Sequence, residues 1–355
     1  MKIAQVVAAG EGREPRARDV ERLVGYLTTQ LAADGHEATL FACTAGAQAR
    51  MRGAVGELPP LSAMPPALAS LIAHASRFDV IHLHGDLQRF SALSTMLTPI
   101  VATLHAYPSP RMLAARASLP DAQLVAVSAH QRNLFPGLRW DATVPHGLPE
   151  RQHTFHSEPR NYLSYVGSLT SVNSLRRAVE IALRSRLPLK IARHIVGREL
   201  RQLEQHLAPL IDAGASIEFV GDLETRELGE LLGNARALLF TNEWSEPCPL
   251  AVLDALACGT PVIAWRSGAT EEVIDHGRSG FIVSSVDDAI RAVANLDLIG
   301  RLGCRLAFDD RFGAKRMVRD YVSLYERLLA KSEQVKVARC EALGGRASLG
   351  QDGAL

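Results

Sequence analysis

Thr241-Asn-Glu-Trp-Ser-Glu246-Pro-Cys-Pro249-Leu-Ala-Val-Leu-Asp254-Ala-Leu-Ala-Cys-Gly259-Thr-Pro261-Val-Ile-Ala264 reads as loop, short helix and strand, with the apolar run Ala237 to Phe240 ahead of it as a buried parallel strand. Leu250, Leu253, Leu256 and Ala257 recur at helical spacing; Pro249 starts the helix and Gly259-Thr-Pro261 stops it. One carboxylate, Glu246, then stands just before the helix, and a second, Asp254, lies about 7 Å further along its axis at ~1.5 Å per residue. That separation is too long for one proton relay. It suits an elongated ligand with its anionic centre at the helix N-terminus, where free N–H groups favour negative charge, and hydroxyl-bearing groups on either side.

Outward from this stretch the chain alternates strands and helices. Strands are expected at Ile3 to Ala8, Glu37 to Ala42, Asp79 to His84, Ile100 to His105, Gln123 to Ser128 and Ala142 to Val144, with a helix near Asp19 to Asp34 and another opened by Pro65-Pro66. A second series runs through Tyr162 to Val166, Leu189 to Ala192, Ile217 to Val220, Leu238 to Phe240, Val262 to Trp265 and Phe281 to Val283. This is the pattern of parallel α/β sheets. The polar stretch Glu150 to Pro159 divides residues 1–150 from a second domain at 160–311. A last helix, Phe312 to Leu329, carries Met317, Tyr321, Leu324, Tyr325 and Leu328 on one face, and residues 332–355 lack periodicity and are expected to be disordered.

Composition narrows the function classes. The 355 residues are 47% hydrophobic, enough for two cores, and a net charge of +1 gives no support for nucleic-acid binding. The five cysteines are odd in number and lack any Cys-x-x-Cys pair, so free thiols and a reducing cytoplasm are expected. No run of 18 apolar residues could cross a bilayer, which leaves peripheral contact at the inner face of a membrane as a compatible location.

The motif itself resembles a family. Glu-x7-Glu followed by Ala-Leu-Ala-Cys-Gly-Thr-Pro-Val-Ile-Ala is similar to the signature of the family 4 retaining glycosyltransferases, and the resemblance spans about residues 1 to 330. It implies the GT-B fold: two Rossmann-like domains facing across a cleft, the first on the acceptor side, the second for the nucleotide sugar, with residues 312–331 crossing back to the first. The implied activity is transfer of a hexosyl group from a nucleotide-diphosphate sugar to a hydroxyl of a glycan, lipid or metabolite, without a metal or other cofactor. By resemblance Glu246 binds donor-sugar hydroxyls, Asp254 the ribose, and His105 the reacting face. Gly167, Ser168, Asn173, Arg193, Pro249 and Leu250 fall in the donor site, Gly221 and Asp222 near the base, and Arg18 and Asp19 in the acceptor-side loop. Ser128, His146-Gly147 and Gly221-Asp222 read equally well as caps and turns. His82 and His84 share a strand face and invite a metal cluster with His105, but no carboxylate or cysteine spacing completes one.

Departures from the signature lie around the phosphates. Relatives read Gly-Arg-Leu-x-x-x-Lys-Gly after the first strand of the second domain, whereas Ser168 and Asn173 stand here. Losing two charge-assisted contacts costs about 3–6 kcal/mol, which is roughly two to four orders of magnitude in binding. Pro249 replaces a glycine and its N–H, Asp254 is one methylene shorter than glutamate, and Arg18-Asp19-Val20-Glu21 replaces Gly-Gly-x-Glu. Arg193, Arg198 and Arg266 are candidates for the missing positive charge, and Glu272 matches a family glutamate. An alternative follows from the same departures: a catalytically degenerate GT-B protein that serves as a partner or scaffold subunit in glycan biosynthesis. A different GT-B activity, such as an epimerase or phosphorylase, is a third reading.

Overall fold

The computed structural model describes residues 1–7, 15–42, 66–85, 87–167, 172–192, 198–242 and 245–347. Among them, two parallel six-stranded sheets account for every strand foreseen from the sequence, with ends shifted by a residue or two. The first holds β1 (Lys2–Val7), β2 (Glu37–Ala42), β3 (Val80–His84), β4 (Ile100–Leu104), β5 (Gln123–Ala126) and β6 (Trp140–Thr143) in the order β2-β1-β3-β4-β5-β6. In the second, β7 (Leu163–Val166), β8 (Leu189–Ala192), β9 (Ile217–Gly221), β10 (Ala237–Phe240), β11 (Val262–Trp265) and β12 (Gly280–Val283) run β12-β11-β10-β7-β8-β9. β3, β4 and β10 are buried at every residue, as parallel strands covered on both faces must be. That burial explains their unbroken apolar runs.

The strand order reverses between β1 and β3 in one sheet and between β7 and β10 in the other, and crevices open at the carboxyl ends of strands at such points. The C-terminal helix Ala314–Ala347 returns to the first sheet. Its Met317, Val318, Tyr321, Leu324 and Tyr325 bury against Ile3, Val80, Val101 and Val125 of the first sheet, as the amphipathic spacing foretold. The disordered tail expected from residue 332 is corrected as far as Ala347, where the helix ends. Lacking Pro and, before Gly344, any Gly, the segment extends a helix already nucleated, which costs far less than starting one. The first helix, Pro15–Ala33, likewise starts earlier than its apolar periodicity suggested.

Two chain crossings sit side by side at the hinge. Leu148 N–H donates to Phe312 O at 2.9 Å and Ala314 N–H to Leu148 O at 2.8 Å. A Cβ on Gly147 would stand 2.7 Å from Gly313 O, so this crossing requires glycine by contact, not by backbone angle. Beyond the hinge the linker is held to the second domain. Arg301 donates to His156 O, Ala235 O and Gly233 O, and Arg305 donates to Ala257 O and His153 O. The rings of His153, Phe155 and His156 lie over Gly229, Gly259 and Gly233, where any Cβ would collide with them. The linker therefore moves with the second domain, and the hinge lies at residues 147–148 and 312–314.

Candidate functional site

The signature stretch folds as its residues dictate. β10 ends at Phe240, Asn242 Nδ2 donates to Glu246 Oε1 at 2.9 Å, and Pro249 caps the helix Leu250–Ala257. Glu246 is half-buried at the carboxyl end of β10, beside the switch point of its sheet. Across the cleft stands Tyr107, just past β4. Burial pushes its phenol up, as do the nearby carboxylates Glu246 and Glu272, while a hydrogen bond to Ser245 works in the other direction. Tyr107 Oη and Ser245 Oγ are 2.6 Å apart, and Ser245 Oγ lies 3.1 Å from His130 Nε2. Glu272 accepts from the backbone N–H groups of Ala129, at 2.9 Å, and of His130. The two domains thus meet through Tyr107, His130, Ser245 and Glu272 around the foremost carboxylate of the motif.

His105 lies within a buried hydrogen-bond chain, between His146 and His84. His105 Nε2 is 2.9 Å from His84 Nδ1, and His105 Nδ1 is 3.0 Å from His146 Nε2. His84 Nε2 lies 2.7 Å from Gln5 Oε1, which can only accept, so the donor there is His84. Direction then propagates through the neutral rings: His146 donates to His105, His105 to His84, and His84 to Gln5. Gln5 Nε2 donates to Tyr325 Oη at 3.3 Å, Tyr325 Oη lies 2.6 Å from His82 Nδ1, and Thr103 Oγ1 lies 2.8 Å from His82 Nε2. Burial drives His82, His84 and His146 well below the ordinary histidine value, and His105 down to about 4. Both ring nitrogens of His105 are committed to other histidines, so its ring offers a sugar no free polar atom in this arrangement.

Asp254 is 1% exposed. Its Oδ1 accepts from His153 Nε2 at 2.7 Å and its Oδ2 from Arg22 Nη2 at 3.0 Å. Burial raises this carboxyl, and the Arg22 charge with the two hydrogen bonds more than offsets that, leaving it below the ordinary aspartate value. Arg22 comes from the first-domain helix Pro15–Ala33, so this ion pair spans the cleft.

Two families match successive parts of the chain: Glycosyltransferase Family 4 over residues 20–139 and Glycosyl transferases group 1 over residues 149–299. The chain belongs to the group 1 glycosyltransferases of the family 4 type. Among curated relatives of this family, the N-acetyl-alpha-D-glucosaminyl L-malate synthase of Bacillus anthracis is 29% identical over 31% of this chain and 31% of its own length. A D-inositol 3-phosphate glycosyltransferase of Pseudarthrobacter chlorophenolicus is 31% identical over 42% of this chain and 34% of its own. The chain thus spans about a third of the length of the curated relatives it matches. Solved structures agree over more of it. Sucrose-phosphate synthase from Thermosynechococcus elongatus superposes with a TM-score of 0.73 at 16% identity, covering 93% of this chain and 100% of that one. HepE of Anabaena, solved with UDP, gives 0.67 at 15%, covering 92% and 100%. At these identities the likeness establishes the GT-B fold, two Rossmann-like domains with a cleft between them.

Within this GT-B frame the sequence-derived residues separate into groups. Glu246, Pro249 and Leu250 gather at the helix start, with Pro249 as its N-cap and not its first turn. Gly167 follows β7 and the exposed Asn173 lies in the first turn of the helix Val172–Arg184, both at the switch point. Gly221 turns at φ +81°, followed by the exposed Asp222, at the far strand β9. Asp19 lies 3.8 Å from Arg22, and Arg18 falls in the same helix. Ser168 and Arg193 lie outside the described residues, as do the side chains of Arg18 and Arg198. Arg266 pairs with Glu271 at the surface, so that candidate cation is spent on a neighbour. Ser128 caps the helix Ala129–Leu134, accepting from Gln131 N–H at 3.1 Å. The imagined histidine metal cluster is instead the hydrogen-bond chain, and no group of metal-holding side chains occurs among the described residues.

Sequence reasoning missed Arg22, His153, Tyr107 and Ser245. A histidine in a linker without core residues was the available signal for His153; Arg22 sat unremarked in a mixed-charge run. An interdomain cavity of about 310 Å³ also lies on the hinge side, lined by Ser128, Pro145, Cys248, Glu272, Arg311 and Arg316 among others. Cys248, Cys258 and Cys304 are free and buried, and burial pushes each thiol up to about 12. No helix among the described residues is long and apolar enough to cross a membrane.

Proposed function

We propose that this chain is a retaining hexosyltransferase that moves a sugar from a nucleoside-diphosphate donor to a hydroxyl acceptor. The observation that carries the reading is the convergence of Glu246, on the switch-point side of β10 ahead of the helix start at Leu250, with Tyr107 of the opposite domain, two residues past His105. The helix N-terminus receives the diphosphate, where backbone N–H groups stabilise the charge that develops as the sugar–phosphate bond breaks. Glu246, oriented by Asn242, accepts from donor-sugar hydroxyls. His105, held neutral and rigid, borders the reacting face. The departing phosphate takes the acceptor proton, so that attack occurs on the face it leaves, and Asp254 receives the ribose diol.

HepE, solved with UDP and with UDP and glucose, makes UDP the foremost donor nucleotide to try. Calorimetric titration of the full chain with UDP, GDP and ADP tests the donor site before any acceptor is known. Micromolar binding of one nucleotide supports the transferase. Absence of binding at millimolar concentration by a folded protein supports the second reading, a degenerate partner or scaffold subunit. Specific observations favour that alternative: neutral Asn173 stands where relatives carry a phosphate-gripping cation, and Asp254 is enclosed by Arg22 and His153.

A further inference from the structure

We propose that Arg22 is part of the donor site, as a gate on the ribose subsite: it holds Asp254 at rest and passes to Asp19 when a ribonucleotide takes the carboxylate. This rests on the nucleotide-sugar reading above and adds a residue from the opposite domain to it. Both oxygens of Asp254 are occupied, by His153 at 2.7 Å and Arg22 at 3.0 Å, and the side chain is 2% exposed. A diol has no path to it while Arg22 stays. Of the two partners only Arg22 can leave. His153 is fully buried, its ring packs on Gly229, and its backbone carbonyl is bonded by Arg305, so it travels with the second domain. Arg22 belongs to the other side of the hinge, and its side chain is 19% exposed.

A second carboxylate stands one helical turn before it. Asp19 Oδ1 is already 3.8 Å from the Arg22 Nη2 that bonds Asp254, and its side chain is 48% exposed, so Arg22 can leave Asp254 by rotating its own side chain while its charge stays paired with Asp19. Arg22 Nε is buried and has no hydrogen-bond partner among the described residues, so the resting pose leaves part of its donor capacity unused. The shorter reach of aspartate fits this arrangement: Asp254 leaves room for a guanidinium where a glutamate would project one methylene further. The gate makes ribose binding compete with an internal cation, and the apparent affinity is then the intrinsic one reduced by the open fraction.

The test uses UDP, GDP and ADP and their 2′,3′-dideoxy analogues, titrated into the full chain and into Arg22→Met, Arg22→Lys and Asp19→Asn, each checked for folding by its melting curve. The gate predicts that Arg22→Met binds the preferred ribonucleotide about fivefold to tenfold tighter, with little change for the dideoxy analogue, so that the ribose preference rises. Arg22→Lys, with one donor group in place of a fork, falls between and keeps the comparison open if Arg22→Met does not fold. Asp19→Asn weakens ribonucleotide binding, because a released Arg22 has lost its second partner. Weaker binding in both Arg22 variants overturns the gate and makes Arg22 a direct phosphate contact. An unchanged ribose preference, with nucleotide still bound, overturns the gate alone. Binding to neither wild type nor variants overturns the donor reading as well.

Discussion

Asp254 shows how burial decides what a carboxylate does. Enclosed by Arg22 and His153, it carries a charge that is favourable only while hydrogen-bond donors surround it. Removing it leaves a guanidinium and an imidazole short of an acceptor, and Asp254→Ala is expected to lose about 3 kcal/mol in urea unfolding. The pH dependence has a definite sign. Folding lowers this carboxyl, so its contribution is complete above the unfolded value of about 4 and is lost as pH falls through the folded value. Asp254→Asn should flatten that acid limb. The histidines act one step higher in pH. His82, His84, His105 and His146 are held neutral, so the unfolded chain binds more protons below about 6.5 and stability declines from there downward. Imidazole nitrogen NMR provides a direct check: His84, His105 and His146 should carry their proton on Nε2 at neutral pH, and one of these rings found protonated on Nδ1 would break the direction of the chain.

Among the elements, the helix Leu250–Ala257 and the C-terminal helix show opposite relations to sequence. The former was legible because Pro249 and Gly259 bracket an apolar repeat, both within reach of local rules. The latter was legible only to Leu329, the last residue of its packed face among the described side chains. The continuation to Ala347 has no periodic face to announce it and depends on a helix already formed. Truncation after Lys331 should therefore reduce the helical circular dichroism while leaving the melting temperature nearly unchanged. At the hinge, Gly147 was read as a turn glycine, yet the demand on it comes from Gly313, remote in sequence. Gly147→Ala should cost about 1–3 kcal/mol by overpacking, seen as a lower urea midpoint.

At the scale of the whole molecule, the hinge at 147–148 and 312–314 joins two domains that also meet across the cleft, at Arg22–Asp254, at Glu272 with the Ala129 and His130 amides, and at Tyr107–Ser245–His130. Unlike the buried Arg22–Asp254 pair, the contacts of Glu272 and Ser245 lie at exposed or half-exposed positions, exchange readily with water and are individually weak. Glu272→Ala combined with Ser245→Ala should consequently loosen closure, raising the radius of gyration in small-angle X-ray scattering without unfolding either sheet. The alternation of apolar runs by itself determined two parallel sheets, a polar linker and the family motif, because strand burial, helix caps and turn residues are local and periodic properties. Only the tertiary structure decided what Asp254 and His105 face. Arg22 lies 232 positions before Asp254, and the histidine chain draws on β1, β3, β4, the hinge approach and the C-terminal helix. No periodicity encodes which charges meet when two domains close, and that meeting sets the ionisation, the hydrogen-bond direction and the access of each group.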